Sequence, residues 1–385
     1  MAPQAPTGFV PPPYPHDRLD DLKAVAAAVP GGIVDSSIGT PVDPMPDLAV
    51  QALADAAPGA TGYPFTIGSL EYREAAAAWI ERRFGIGLPA SSVMACIGTK
   101  EVVASLPRML SLRDPSRDTV LYPGVSYPTY AMGAELAGLR AVPVPVDDEW
   151  RPNLSAVDPD DASRALVLWL NDPANPTGVT ATPEAMRASV EWGREHGAVV
   201  ASDECYAEFT YDASGAPAAP VSALQVTTDG VLAVHSLSKR SNMAGLRAGF
   251  VAGDASLVTY LGEVRKHGGL MVPAPVQAAA AAALGDDDHV DAQRARYADR
   301  RARLAPVLEA WGLVNDGGPS AFYLWLRAAA GNEDGWSVAA RLAATGLLVA
   351  PGSLYGSAGD QHVRVALSIT DEHVHLTVQR LEAST

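Results

Sequence analysis

A chain of 385 residues exceeds the size at which one hydrophobic core usually stops growing, so two lobes are expected. With 48% hydrophobic and 19% charged residues it lies far from the composition of disordered chains. A formal net charge of -16, from 44 acidic against 28 basic side chains, argues against a nucleic-acid partner.

The N-terminal MAPQAPTGFVPPPYP has no basic region followed by an apolar one, and reads as an extended Pro-rich arm rather than a signal peptide. From about residue 45 to 280, Ala-rich helical segments alternate with short apolar runs at 93–97, 119–122, 165–170, 198–201, 231–234 and 248–252. These runs are largely unbroken rather than alternating, as in strands buried on both faces of a mostly parallel sheet, which is the α/β signature. Helices are expected at 69–83 and at 183–196, the second with Thr182 as N-cap and Pro183 at its first position. Cys96 and Cys205 fall in apolar or strand-like segments without metal-type spacing and are expected to be buried free thiols; no metal site is expected. The most apolar stretch, 270–284, is too short and Pro-broken to span a bilayer, so no membrane partner is expected and the cytoplasm is the expected compartment. After a long charged helical stretch at 289–311 the pattern shifts to fewer strands and amphipathic helices, including 336–345. The expected organisation is residues 1–44 as an arm and part of a small domain, 45–285 as a large cofactor-binding domain, and 286–385 as a small C-terminal domain.

In open parallel sheets, ligands bind beyond the carboxyl ends of the strands. The residues just after each apolar run are therefore informative. They read Gly98-Thr99-Lys100-Glu101, Asn171-Asp-Pro-Ala-Asn175-Pro-Thr-Gly178, Asp203-Glu-Cys-Tyr206 and His235-Ser236-Leu-Ser238-Lys239. Singly, each has an ordinary reading: an aspartate after a strand is usually a cap, and Asn-Pro-Thr-Gly is a turn.

In this order, with Arg247 eight residues beyond Lys239, they resemble the fold-type I aminotransferases of class I/II. Gly39-Thr-Pro, Tyr63 followed by Gly68, Pro123-x-x-x-Tyr127-Pro-x-Tyr130 and Val363-Arg364-Val365 extend the resemblance over nearly the whole chain. It implies a mostly parallel central sheet flanked by helices plus a smaller α/β domain, and pyridoxal 5'-phosphate as cofactor. It also implies amino acid and 2-oxo acid substrates, and a homodimer with shared active sites.

The resemblance carries roles onto particular residues. Lys239 would condense with the cofactor aldehyde and later shuttle the substrate α-proton. Only the neutral amine can do this, so its pKa must fall below ~10.4; burial beside Arg247 and the charge of the cofactor are the expected causes. Asp203 would stabilise the protonated ring nitrogen, and Asn175 and Tyr206 the phenolic oxygen. Gly98, Thr99, Ser236, Ser238 and Arg247 would hold the phosphate, with Lys100 beside them and Tyr63 reaching in from the other subunit. Tyr127 would stack on the ring. Arg364 would grip the substrate α-carboxylate as a bidentate fork, assisted by Asn175. The backbone of Gly39 would approach the same carboxylate, which is offered as the reason for a residue without a side chain there.

The stretches 35–43, 62–68, 98–101 and 121–130 look most like the actinobacterial N-succinyldiaminopimelate aminotransferases. Three rivals stand beside this. Ser236-Leu-Ser-Lys239 also matches the Ser-x-x-Lys of penicillin-recognising acyltransferases, but no Lys-Thr-Gly follows, and a reactive serine there should open a helix. A β-lyase or decarboxylating synthase would use the same lysine and aspartate. A regulator's sensing domain would need a basic helix-turn-helix segment, which the sequence lacks.

Overall fold

The computed structural model describes residues 8–331 and 333–384. After the two-residue strand β1 (Val34–Asp35), the chain builds a seven-stranded sheet. Its members are β2 (Val93–Cys96), β3 (Thr119–Pro123), β4 (Arg140–Val144), β5 (Ala165–Asn171), β6 (Val199–Asp203), β7 (Val231–Ser236) and β8 (Gly249–Gly253). The spatial order is β2-β8-β7-β6-β5-β3-β4. Strands β3 to β7 are parallel to one another, and β8 runs antiparallel to both β7 and β2.

The sheet is buried on both faces, which is why the apolar runs do not alternate with polar residues. Leu168, Leu170, Val200 and Ala233 pack in one core, while Val167, Trp169, Ala201 and Val234 pack in the other. The six expected runs all become strands. The seventh strand, β4, departs from expectation: it lies at the sheet edge, carries Pro143, and starts with the exposed Arg140, so its sequence lacks the buried-strand signal.

The helices between the strands begin where local chemistry dictates. Ser69 caps Leu70–Phe84 by accepting from the Tyr72 amide at 3.2 Å, and Gly85 ends it in a left-handed conformation. Thr182 caps Pro183–Glu195 through the Ala185 amide at 3.2 Å. The helix Thr99–Arg113 starts directly at the end of β2, from Gly98.

The C-terminal part folds around the long helix Asp288–Ala310. Strands β9 (Leu313–Asn315), β10 (Tyr323–Ala328), β11 (Leu347–Leu348), β12 (Ala350–Pro351) and β13 (His362–Ala366) follow. Four of them form an antiparallel sheet in the order β12-β13-β10-β9. Strand β11 instead pairs in parallel with β1, and the Ala366 amide donates to the Ser36 carbonyl at 2.9 Å, so the N-terminal segment is stitched into this part. A core around Tyr297, Leu304, Phe322, Leu326 and Val363 holds it together.

Of the expected Pro-rich arm, residues 1–7 lie outside the described residues, and 8–14 form neither helix nor strand. Many of the exposed large apolar side chains fall in the first 70 residues, among them Phe9, Val10, Val42, Tyr63 and Phe65. No helix among the described residues is long and apolar enough to cross a membrane. Both cysteines are free and buried.

Candidate active site

The carboxyl ends of β2, β5, β6 and β7 open on one cavity of about 250 Å³. Its walls include Thr99, Lys100, Tyr127, Asn175, Asp203, Tyr206, Ser236, Ser238, Lys239 and Arg247 from the large sheet's loops. Tyr14 to His16, Ile38 to Thr40, Tyr323, Tyr355 and Arg364 close it from the other side.

Lys239 sits in the one-turn helix Leu237–Arg240 that follows β7, and its ammonium donates to the Gly39 carbonyl. Burial lowers its pKa to about 8, against the pull of Cys205 and Asp203. The Arg364 guanidinium helps more than Arg247, which is a departure from the expected order of causes. Gly39 has a steric reason as well. A Cβ there would lie 2.0 Å from the Tyr323 hydroxyl, so the missing side chain makes room for a tyrosine.

Asp203 is buried at the end of β6. Its carboxylate accepts from the Tyr130 hydroxyl at 2.9 Å and the Cys205 amide at 3.3 Å. Burial raises its pKa, and Lys239 and the two hydrogen-bonded neighbours pull against that rise. The Tyr206 hydroxyl shares a 2.7 Å hydrogen bond with that of Tyr323. Asn171 organises the loop after β5: its amide donates to the Asp203 carbonyl at 2.8 Å, and its side-chain oxygen accepts from the Asn175 amide at 2.8 Å.

Arg364, on β13, donates to Asn175 Oδ1 at 2.8 Å and to the Ser37 carbonyl at 2.6 Å. Its guanidinium lies 4.3 Å from the ring centre of Tyr323 and 4.9 Å from that of Tyr355. Its buried Nε has no hydrogen-bond partner among the described residues.

The third corner is built for an anion. Gly98 has φ 68° and ψ 153°, and a Cβ on it would lie 2.1 Å from Arg247 Nη2. Arg247 itself adopts φ 59° and is aimed by the Ala244 carbonyl at 2.8 Å. Around it stand the start of the helix Thr99–Arg113 and the hydroxyls of Thr99, Ser236 and Ser238. The ammonium of Lys100 is 3.2 Å from the Tyr14 hydroxyl and 4.7 Å from the centre of that ring, with Tyr127 close by.

Twelve of the residues expected at the site therefore line one cavity, and Gly98 shapes its anion corner. Tyr63 does not join them in this chain; it is 96% exposed. Sequence reasoning missed Tyr14, His16, Asn171, Tyr130, Tyr323 and Tyr355 as wall residues. Two of these had a signal: Asn171 opens the Asn-x-Pro-x-Asn motif and Tyr130 closes the Pro-x-Tyr motif. The others come from distant segments with no pattern of their own. Ser236 does open a helix, so that criterion does not exclude the acyltransferase rival; the missing Lys-Thr-Gly does.

An enclosed amine, a buried carboxylate and an anion cradle whose free space depends on Gly98 form the donor set that a phosphorylated pyridine aldehyde requires. Comparison with known proteins agrees. The family model for aminotransferase class I and II matches residues 33–381. A probable aminotransferase of Mycobacterium tuberculosis is 48% identical over 96% of this chain and 85% of its own length. The 4-dedimethylamino-4-oxo-anhydrotetracycline transaminase of Streptomyces rimosus is 45% identical over 96% of this chain and 99% of its own. The solved structure of a probable N-succinyldiaminopimelate aminotransferase from Thermus thermophilus superposes with a TM-score of 0.84, at 30% identity, over 96% of this chain and 99% of that one. The chain belongs to the class I and II aminotransferases, which depend on pyridoxal 5'-phosphate.

Proposed function

We propose that this aminotransferase exchanges an amino group between N-succinyl-LL-2,6-diaminopimelate and 2-oxoglutarate, reversibly giving N-succinyl-2-amino-6-oxopimelate and glutamate. Pyridoxal phosphate, when bound, supplies an aldehyde that captures amines and a ring that draws electrons from the substrate α-carbon. Lys239, more readily deprotonated at its lowered pKa, holds that aldehyde at rest and moves the substrate α-proton at its Nζ. Asp203, oriented by Tyr130, keeps a proton on the ring nitrogen. Asn175 and Tyr206 donate to the phenolic oxygen, and Tyr127 stacks on the ring. Thr99, Ser236, Ser238, Arg247 and the amides after Gly98 hold the phosphate. Arg364 takes the α-carboxylate in a two-pronged grip, with Asn175 and the Gly39 backbone beside it.

One observation carries the choice of substrate. The chain has a formal net charge of -16, yet among the described residues its cavity is lined by Lys100, Lys239, Arg247 and Arg364 against one carboxylate, that of Asp203. Phosphate and α-carboxylate account for the two arginines. Lys100 then remains to attract carboxylates at the far end of a multiply charged substrate. The likeness to the Thermus thermophilus protein supports this reading. The likeness to the Streptomyces rimosus enzyme favours a second one, amino transfer to a larger cyclic ketone. Aspartate, alanine or aromatic donors, or a β-lyase reaction, are the remaining alternatives. We further propose a cytoplasmic homodimer in which the exposed Tyr63 of one protomer completes the phosphate site of the other; the exposed apolar residues of the first 70 positions support it.

A panel of donors and acceptors tests this. With 2-oxoglutarate as acceptor, kcat/KM should be greatest for N-succinyl-LL-2,6-diaminopimelate, and Lys100→Met should lower it selectively against alanine. A greater value for alanine, or release of pyruvate and ammonia, would overturn the substrate assignment.

A further inference from the structure

Lys239 rides on a helix of four residues, Leu237–Arg240, closed by a bond from the Ser241 amide to the Leu237 carbonyl. A single turn bears the cost of nucleation without the gain of propagation, so its direction must be set from outside. At its start, Ser236 accepts from the Ser238 amide at 3.2 Å. At its end, Arg240 is only 4% exposed and spreads its guanidinium over three segments. It donates to Glu208 Oε1 at 3.1 Å, to the Ala283 carbonyl at 2.6 Å, to the Asp286 carbonyl at 3.0 Å and to Asp287 Oδ1 at 2.7 Å.

Glu208, 5% exposed, is the hub. Besides Arg240 it accepts from Trp79 Nε1 at 2.8 Å and from Arg294 at 3.3 Å, and it pairs with Arg83 at 2.9 Å. It stands five residues after Asp203 and two after Tyr206, in the turn that leaves β6. The buried contact between Glu208 and Arg240 thus joins the segment bearing the carboxylate and the phenol to the segment bearing the amine.

We propose that Arg240 and Glu208 are positioning residues, whose buried ion pair sets the aim of Lys239 relative to Asp203 and Tyr206. The inference rests on Lys239 being the cofactor-binding lysine. Neither residue touches the cavity; both act through the backbone they anchor. Arginine is suited to this because its planar fork reaches several acceptors at once, which lysine cannot do.

The test uses apo-protein reconstituted with pyridoxal phosphate. Three things are measured for Arg240→Lys and Glu208→Gln: the rate at which the visible absorbance band appears, the pH at which that band titrates, and borohydride fixation of the cofactor to Lys239. Capture should slow by about tenfold or more, since a misplacement of ~1 Å can cost more than that. The band should titrate about half a unit or more higher, as a looser turn lets water reach the amine. The KM for the amino donor should change less than about twofold, because Arg364 is untouched. Val190→Ala, in the core packed on the large sheet, controls for lost stability alone and should leave the band unchanged. Wild-type capture rate and titration in both variants would overturn the proposal. So would failure of both to fold, which would show that the pair serves folding rather than aim. Covalent fixation surviving in Lys239→Ala would instead remove the assignment of the lysine, an outcome separable from these.

Discussion

Replacing Gly98 by alanine would set a methyl carbon 2.1 Å from Arg247 Nη2 and 2.6 Å from its Cζ, so the guanidinium must leave. The backbone cannot yield instead, because φ 68° with ψ 153° lies in a region open almost only to glycine; a side chain there costs ~1–3 kcal/mol. These two costs appear in different measurements. Backbone strain is present with and without the cofactor, and lowers the melting temperature of the apo-protein. Displacement of Arg247 would remove the proposed charge-assisted contact with the phosphate, worth ~1.5–3 kcal/mol, and weaken pyridoxal phosphate binding about 10- to 150-fold. Equilibrium titration of the visible band gives the Kd, and the double variant Gly98→Ala/Arg247→Ala separates the routes. In an Arg247→Ala background, Gly98→Ala should cost no further affinity, because the group it displaces has gone. An unchanged Kd in Gly98→Ala with a lowered melting temperature would refute the placement of Arg247 at the phosphate.

Capture of pyridoxal phosphate by the apo-protein should rise about tenfold per pH unit and flatten above about 8, where Lys239 becomes mostly neutral; a rate still climbing at pH 9.5 would contradict the lowered pKa. Because the folded state prefers the neutral amine, stability against unfolding should rise between about 8 and the unfolded value of ~10.4, with urea midpoints as the check. Arg364→Lys keeps the charge but loses the fork, so kcat/KM should fall about 10- to 150-fold for donor and acceptor alike while cofactor affinity holds; loss of the cofactor instead would place Arg364 elsewhere. Asp203→Asn keeps the bond to Tyr130 but not the negative charge, and turnover should fall about 100- to 1000-fold, whereas an unimpaired enzyme would free Asp203 of its role.

The large sheet was legible because burial on both faces leaves an unbroken apolar run in each interior strand, as in 165–170 and 231–234. Strand β4 was not, since an edge strand needs no such run and tolerates Pro143. The site divides in the same way. Lys239, Asp203, Asn175 and Gly98 follow strand ends and sit in short motifs, so their proximity can be read along the chain. Tyr323 and Tyr355 sit in no such motif, and they reach Arg364 only once β10, β12 and β13 have paired. The steric need for a glycine at 39 was hidden for that cause: a Cβ there would meet Tyr323, 284 positions away.

The pairing of β1 with β11, together with the bonds from Arg364 to Ser37 and from Ala366 to Ser36, has a bearing on biosynthesis. A chain emerging from the ribosome completes Lys239, Asp203 and the phosphate corner long before position 364 is made. The residues proposed to hold the cofactor are thus translated before the arginine proposed to grip the substrate. That side of the cavity is closed only when Ser37 and Arg364, 327 positions apart, have met.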